Sequence, residues 1–92
     1  MGDHNLVDSD GTTYELGVST VIGRRGDCDI VLDGPRVSRR HAHIRDTGDG
    51  LLLVDVASVN GTLRNDIEVV SERLVDGDTV TIDEHKLRLE LG

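Results

Sequence analysis

The sequence predicts a single all-β domain, a sandwich of about ten short, mainly antiparallel strands. Its apolar residues are chiefly 12 Val, 11 Leu and 5 Ile, against one Tyr and no Phe or Trp. Branched side chains of this kind pack well on a pleated, half-buried surface. Eleven Gly, one Pro and many Asp stand in short clusters between the apolar runs, as turns do in sandwiches and barrels. No segment has helical periodicity over more than a turn.

A chain of 92 residues is long enough for one domain with one compact core. Residues 1–11 contain three Asp, a Ser and two Gly with little to bury, which predicts a flexible N-terminal arm followed by the domain at 12–92. No apolar run approaches a membrane span, no basic-then-apolar leader opens the sequence, and the single Cys28 has no internal disulfide partner. We therefore expect a cytoplasmic protein that does not bind membranes.

In the first half of the domain, apolar runs between Gly and Asp clusters predict strands at residues 12–16, 19–24 and 30–32. Residues 33–35 then end the third of these strands, because Pro35 removes one ladder donor. From His41 the residues alternate with period two, which predicts a strand. Ala42 and Ile44 would share one face of that strand, and His41, His43 and Arg45 the other.

In the second half, the apolar run at residues 51–56 predicts a central strand covered on both faces, with Asp55 either bonded to buried donors or at the strand's end. Asn60 and Gly61 form the strongest hairpin signal in the chain. Further strands are predicted at 63–64, 67–70, 79–82 and 85–91, with turns at 65–66 and 83–84.

Charge is distributed unevenly along this acidic chain. The formal net charge is −8, which argues against a general nucleic-acid binder. Nine of the ten basic residues are Arg, and five of them lie within residues 24–40. The guanidinium group presents a planar fork of donors that can grip phosphate or carboxylate through two bonds. The sequence therefore predicts one local anion site.

Three separated loops carry unusual polar residues, at positions 23–24, 38–41 and 58–62. In a sandwich, the loops of alternate hairpins gather at one end, where a scaffold presents a binding surface. An arginine, a serine hydroxyl and an asparagine amide together supply the donors that a phosphate monoester needs. We expect a phosphate-binding site at this end.

Four stretches, at residues 22–30, 37–44, 60–62 and 74–78, give the sequence a wider resemblance. In their order and spacing, Ile-Gly-Arg with Cys-Asp-Ile, Val-Ser-Arg-Arg-His-Ala-His-Ile, Asn-Gly-Thr and Leu-Val-Asp-Gly-Asp resemble the forkhead-associated (FHA) family of phosphothreonine-binding domains. The resemblance spans about residues 12–91. It implies an eleven-stranded β-sandwich whose apical loops grip a phosphothreonine in an extended peptide.

The resemblance also implies roles for five residues of the loops. Arg24 and Ser38 would contact the phosphate, and Arg39 would flank it. Asn60 would hydrogen-bond the backbone of the ligand. Arg36 matches a position that in some members reads side chains after the phosphothreonine. The partner would be the product of a Ser/Thr kinase in a signalling pathway.

Three further residues would be structural: Gly23 at the end of its strand, His41 bracing the loops from inside, and Gly61 permitting the turn beside Asn60. Many members carry Ser-Thr before Asn-Gly-Thr, whereas this chain has Ser58 and Val59. The Val59 side chain cannot donate to phosphate, so either the site is weaker or Ser58 compensates.

Other classes of function fit the sequence less well. His41, His43, His85, Cys28 and Asp55 lack the paired spacing of a metal site, and Ser38 with His41 lacks a nucleophile elbow. We therefore predict no catalysis, no metal and no cofactor. A phosphate-independent interaction module that binds a protein through the sandwich face stays open as the alternative, because fold does not fix function.

Overall fold

The computed structural model describes residues 4–92 and contains eleven β-strands in that range. No helix of these residues is long and apolar enough to cross a membrane. The strands are β1 (Asn5–Asp8), β2 (Thr13–Glu15), β3 (Ser19–Gly23), β4 (Ile30–Val31), β5 (Ala42–Asp46), β6 (Leu51–Asp55), β7 (Thr62–Arg64), β8 (Ile67–Val69), β9 (Ser71–Leu74), β10 (Thr79–Ile82) and β11 (His85–Glu90).

The strands form two packed sheets, which confirms the predicted all-β sandwich. One sheet has six strands in the order β2-β1-β11-β10-β7-β8, and the other has five in the order β4-β3-β5-β6-β9. The pairs are antiparallel except for β3 with β4. The apolar strand β6 and the longest strand β11 both lie inside their sheets, where both neighbours complete their ladders.

The core lies between the two sheets and is built from alternate residues of their strands. In the six-stranded sheet, Leu87 and Leu89 of β11 and Val80 and Ile82 of β10 are all 0% exposed. Each such side chain contributes about 1.5–3 kcal/mol when it is removed from water. The alternate residues of β11, Lys86 and Arg88, point to the outer face of the sheet.

The predicted N-terminal arm is wrong for residues 5–8, because Asn5–Asp8 forms β1 between β2 and β11. Leu6 is 0% exposed and lies opposite Leu89 in the core. One buried leucine in a polar stretch is too weak a local signal to indicate a strand; the partner strands supply the reason for the pairing. Residues 1–3 of the predicted arm lie outside the described part.

The strand predicted to be covered on both faces is β6. It does lie inside its sheet, between β5 and β9. However, only Leu51 and Leu53 are buried, and Leu52 and Val54 are half-buried because their face of the sheet points away from the core. The prediction of two covered faces was therefore wrong, although the strand itself was predicted correctly.

Asn60 and Gly61 do not form the predicted hairpin, because the segment after β6 crosses to β7 in the other sheet. A two-residue hairpin turn does occur at Asn65 and Asp66, where φ is 50° and 70°. Positive φ at both positions suits the twist of the flanking strands. The crossing at residues 56–61 leaves a loop that is free to carry functional groups.

The first and last described strands lie side by side. Asn5 is opposite Glu90 in the antiparallel β1–β11 pair, and the Gly92 N–H donates to His4 Nδ1 at 3.3 Å. The opposite end of β11 follows the β10–β11 turn, and it lies one strand length from residues 4 and 92.

Asp78 is a buried carboxylate that joins the end of β7 to the turn that follows β9. It is 4% exposed and accepts hydrogen bonds from Arg64 Nε, Asn65 Nδ2 and the Val75 N–H at 2.8, 2.9 and 2.8 Å. Burial alone would raise the pKa of Asp78, but the hydrogen bonds from Val75, Arg64 and Asn65 outweigh it and the pKa is lowered.

We expect Asp78→Asn to destabilise the domain by about 1.5–3 kcal/mol at neutral pH, because bonds to a charged group are lost. Since the folded-state pKa lies below the unfolded value, this stabilisation is present above about pH 4 and disappears as pH falls through the folded pKa. Thermal unfolding followed by circular dichroism from pH 7 to pH 2.5 should show the two melting curves converging. Asp66→Asn, at an exposed turn carboxylate, is the control, and a constant gap at all pH values would contradict the assignment.

Candidate functional site

Three loops meet at one end of the sandwich: the first loop (residues 24–29), the second loop (32–41) and the third loop (56–61). The first two are joined by backbone bonds, from the Arg24 N–H to the Ser38 carbonyl at 3.0 Å and from the Arg25 N–H to the Arg39 carbonyl at 3.2 Å. The polar residues that the sequence places on separate loops are therefore neighbours in space.

His41 connects the second loop to the third from inside the protein. It is 0% exposed, and its Nδ1 accepts from the Ser38 N–H at 3.0 Å. Nε2 lies 2.8 Å from the Gly61 carbonyl and donates to it, which assigns the ring proton to Nε2. His41 precedes β5 instead of lying on the outer face of a strand with His43, as the alternation predicted. That face assignment was wrong because the chain bends inward before the strand begins.

Gly23 lies where β3 runs against the second loop. A Cβ atom at this position would sit 2.2 Å from the Arg39 carbonyl oxygen, closer than any side chain tolerates. Gly61, with φ of +89°, adopts a conformation that favours glycine beside Asn60. Both glycines thus permit a backbone path that brings the loops together.

Asp55, at the end of β6, organises the third loop. It accepts from the Ser58 N–H at 2.8 Å, from the Ser58 hydroxyl, and from the Thr62 hydroxyl at 2.8 Å. Burial alone would raise the pKa of Asp55, but the bonds from Ser58 and Thr62 outweigh it and hold the pKa below its usual value. Sequence reasoning expected buried donors for Asp55 but missed its role in the loop; the signal was an Asp followed by Ser three residues later, a local turn pattern.

Ser58 is fully used within this network. Its hydroxyl donates its one proton to Asp55 and accepts from the Gly61 N–H at 3.0 Å. It therefore has no proton to offer a ligand in place of the hydroxyl that Val59 lacks. The Val59 side chain is 87% exposed at the same end, while its N–H donates to Ser38 Oγ at 3.3 Å.

The five arginines of this end divide into two groups. Arg25 and Arg40 form exposed ion pairs with Asp27 at 3.4 and 3.2 Å, which contribute little to stability. Arg24, Arg36 and Arg39 have no carboxylate oxygen within 4 Å among residues 4–92. These three exposed side chains carry the uncompensated positive charge of the loops.

Arg24 and Ser38 are held next to each other with donors to spare. Arg24 Nε donates to the Val37 carbonyl at 3.0 Å, which fixes the side chain and leaves the terminal guanidinium nitrogens available. Ser38 is half-buried, and because its oxygen accepts from Val59, its own hydroxyl proton stays free to donate. The pair can therefore bind an anion by charge-assisted hydrogen bonds.

A cavity of about 280 Å³ opens beside Asn60, lined by Arg36, Asn60, Gly61, Leu63, Thr81 and Asp83. The Asn60 side-chain amide reaches the Arg36 carbonyl only at 3.4 Å. Thr81 is 7% exposed, yet its hydroxyl oxygen has no hydrogen-bond partner within residues 4–92. The sequence does not predict Thr81 or Asp83 for the site, because Thr81 of β10 and Asp83 of the following turn reach it only through sheet pairing that no local pattern specifies.

The sequence candidates for a metal site are engaged elsewhere. Cys28 Sγ donates to the Arg39 carbonyl at 3.3 Å, and His85 Nε2 bonds the Asp33 carbonyl at 2.6 Å. No group of three potential ligands comes together in the described part of the chain.

We expect His41→Ala to lower the melting temperature by roughly 10 °C or more, because the Ser38 N–H and Gly61 carbonyl lose their partner and a cavity is left. Differential scanning calorimetry measures this change. His43→Ala, at a half-buried position on β5, is the matched control. If the two variants have the same melting temperature, His41 does not brace the loops.

Comparison with known proteins matches the FHA domain family model to residues 20–83. FhaA of Mycobacterium tuberculosis is 42% identical over 78 residues, which are 84% of this chain and 15% of FhaA. The glycogen accumulation regulator GarA of Mycolicibacterium smegmatis is 46% identical over 69 residues, which are 75% of this chain and 44% of GarA. The chain thus spans less than half the length of either relative.

Among solved structures, Mycobacterium tuberculosis EmbR in complex with a low-affinity phosphopeptide superimposes with a TM-score of 0.93 at 37% identity. The match covers 96% of this chain and 24% of that chain. The family model matches more than half of the chain, and the chain belongs to the FHA domain family.

Proposed function

We propose that this domain binds phosphothreonine in partner proteins that a Ser/Thr kinase has modified, and that it does so without catalysing a reaction. The proposal rests mainly on Arg24 and Ser38, which are held next to each other. The two residues are joined by the Arg24 N–H and Ser38 carbonyl at 3.0 Å, and both retain donors that point to no protein group.

A phosphothreonine carries about −1.5 to −2 charge and three strong acceptor oxygens. The Arg24 guanidinium and the Ser38 hydroxyl supply donors of the required kind, and Arg39 adds an exposed cation on the same loop. The domain as a whole has a net charge of −8, which opposes loosely held anions and leaves this end attractive. A tightly localised site on an acidic domain favours one phosphate over an extended polyanion.

Asn60 and Arg36 would hold the peptide around the phosphate. The long 3.4 Å bond between the Asn60 amide and the Arg36 carbonyl is weak and can be exchanged for a bond to ligand backbone. Arg36 borders the neighbouring cavity, where it can meet a side chain beyond the phosphothreonine.

The family supports the same reading: the matched EmbR structure holds a phosphopeptide, and GarA is a regulator. A binding module of this kind would serve signalling or scaffolding, and it would act in the cytoplasm, where ATP-dependent kinases modify threonine.

We expect Arg24→Ala to abolish measurable binding of a phosphothreonine peptide by isothermal titration calorimetry, because the main phosphate donor is removed. Its melting temperature should stay near that of the wild type, since the side chain is exposed. Arg25→Ala, which removes a neighbouring charge already paired with Asp27, should bind normally. Equal binding by the wild type and Arg24→Ala would refute the assignment, as would equal binding of the unphosphorylated peptide.

We expect Val59→Thr to raise the affinity for the same peptide roughly ten- to a hundredfold, because a hydrogen bond to a charged group is worth about 1.5–3 kcal/mol. The side chain is 87% exposed and Ser58 cannot supply the missing proton, so the gain requires no repacking. Val59→Ala is the control for loss of the isopropyl group. A threonine variant that binds no better than the wild type would show that position 59 does not reach the phosphate.

A further inference from the structure

A second concavity lies on the outer face of the six-stranded sheet. Its volume is about 320 Å³, and it is lined by Val7, Asp8, Ser9, Thr79, Lys86 and Arg88. The register places Val7 of β1 and Thr79 of β10 on either side of Arg88 of β11. This outer groove therefore crosses three adjacent strands of the sheet.

The lining of the outer groove contains two basic side chains and one carboxylate. Lys86, the one lysine of the chain, and Arg88 project from the same face of β11. Lys86 has no carboxylate oxygen within 4 Å among residues 4–92, and Arg88 has one exposed pairing, with Glu90. The lining carboxylate of Asp8 is engaged by the Ser9 N–H at 2.6 Å and lies 3.8 Å from His85.

The outer groove is continuous with the cavity beside Asn60. Thr81, which lines that cavity, is the direct cross-strand partner of Lys86, which lines the groove. Two strand spacings of about 4.8 Å separate β10 from β1, and Thr79 lies two residues along β10 from Thr81. Thr81 therefore lies about 12 Å from Val7 at the far wall of the groove, or roughly four residues of extended chain.

We propose that the outer groove binds an acidic segment of the phosphorylated partner, several residues away from its phosphothreonine. Carboxylates of that segment pair with Lys86 and Arg88, and the aliphatic parts of its side chains cover Val7. The inference rests on the proposed phosphothreonine binding and adds a second recognition element to it. The partner class is thus a phosphothreonine followed or preceded, at a distance, by clustered Glu or Asp.

The negative charge of the domain decides the direction in which an acidic peptide extension changes the affinity. On a domain with a net charge of −8, an acidic extension that reaches no basic site is repelled and weakens binding. An acidic extension that reaches the outer groove strengthens binding. The two possibilities therefore change affinity in opposite directions.

The test uses a core phosphothreonine peptide and two longer ones that carry four neutral residues and then three glutamates, on the N-terminal or the C-terminal side. We expect one of the two extensions to bind about tenfold more tightly than the core by isothermal titration calorimetry, with a gain that shrinks as salt is raised. A variant with both Lys86→Glu and Arg88→Glu should lose this gain and bind the core peptide within about twofold of the wild type.

The matched control carries Arg45→Glu and Arg73→Glu, which make the same charge change on the outer face of the other sheet and flank Leu52 in the register. This control should retain most of the gain. If neither extension tightens binding, or the gain survives in the Lys86 and Arg88 variant, or both variants lose it equally, the outer groove is not the site. Failure of the core peptide to bind the wild type would instead refute the proposed function, and this inference with it.

Discussion

The arrangement of the loops depends on one buried imidazole. His41 is bonded on four sides: its N–H to the Ile22 carbonyl, its carbonyl to the Val56 N–H, and its two ring nitrogens to Ser38 and Gly61. Burying a polar ring without partners would cost several kcal/mol, so its complete satisfaction is what permits it to replace an apolar residue there. In return it fixes the second loop against the third before any ligand arrives. A preordered site avoids much of the entropy loss that flexible loops incur on binding.

The third loop is held by a separate network around Asp55, and the two networks meet at Gly61, whose N–H bonds Ser58 and whose carbonyl bonds His41. Because the Ser58 hydroxyl is consumed in this network and the Val59 N–H donates to Ser38 Oγ, these two residues of the third loop offer no free donor to a phosphate. The same geometry that stiffens the loop thus limits the number of donors the phosphate can meet. The lowered pKa of Asp55 keeps its carboxylate ionised, and the network intact, into mildly acidic conditions.

Much of the fold follows from local patterns, since alternation and branched residues indicate strands and Asn or Asp clusters indicate turns. Local patterns fail where sheet membership decides the structure: Asn60 and Gly61 look like a hairpin, but their strands belong to different sheets, and Leu6 looks isolated until β11 pairs with β1. The site divides in the same way. Its loop arginines and Ser38 are visible in the sequence, and Asp55 has a local signal in Ser58 three residues later, whereas Thr81 reaches the site only through the pairing of β10 with β7 and β11.

The placement of the chain ends gives the domain a mechanical character. Residues 4 and 92 leave the sandwich together, from the antiparallel β1–β11 pair, at the pole opposite the loops. Tension applied between the two ends would load the Asn5 and Glu90 pair first and then peel the strands apart one bond at a time, a geometry that yields at much lower force than sliding whole strands past each other. The force would reach the loops and His41 only after the β1–β11 pair had separated. A pull on the flanking chain would thus fray the base of the domain before it disturbed a bound ligand.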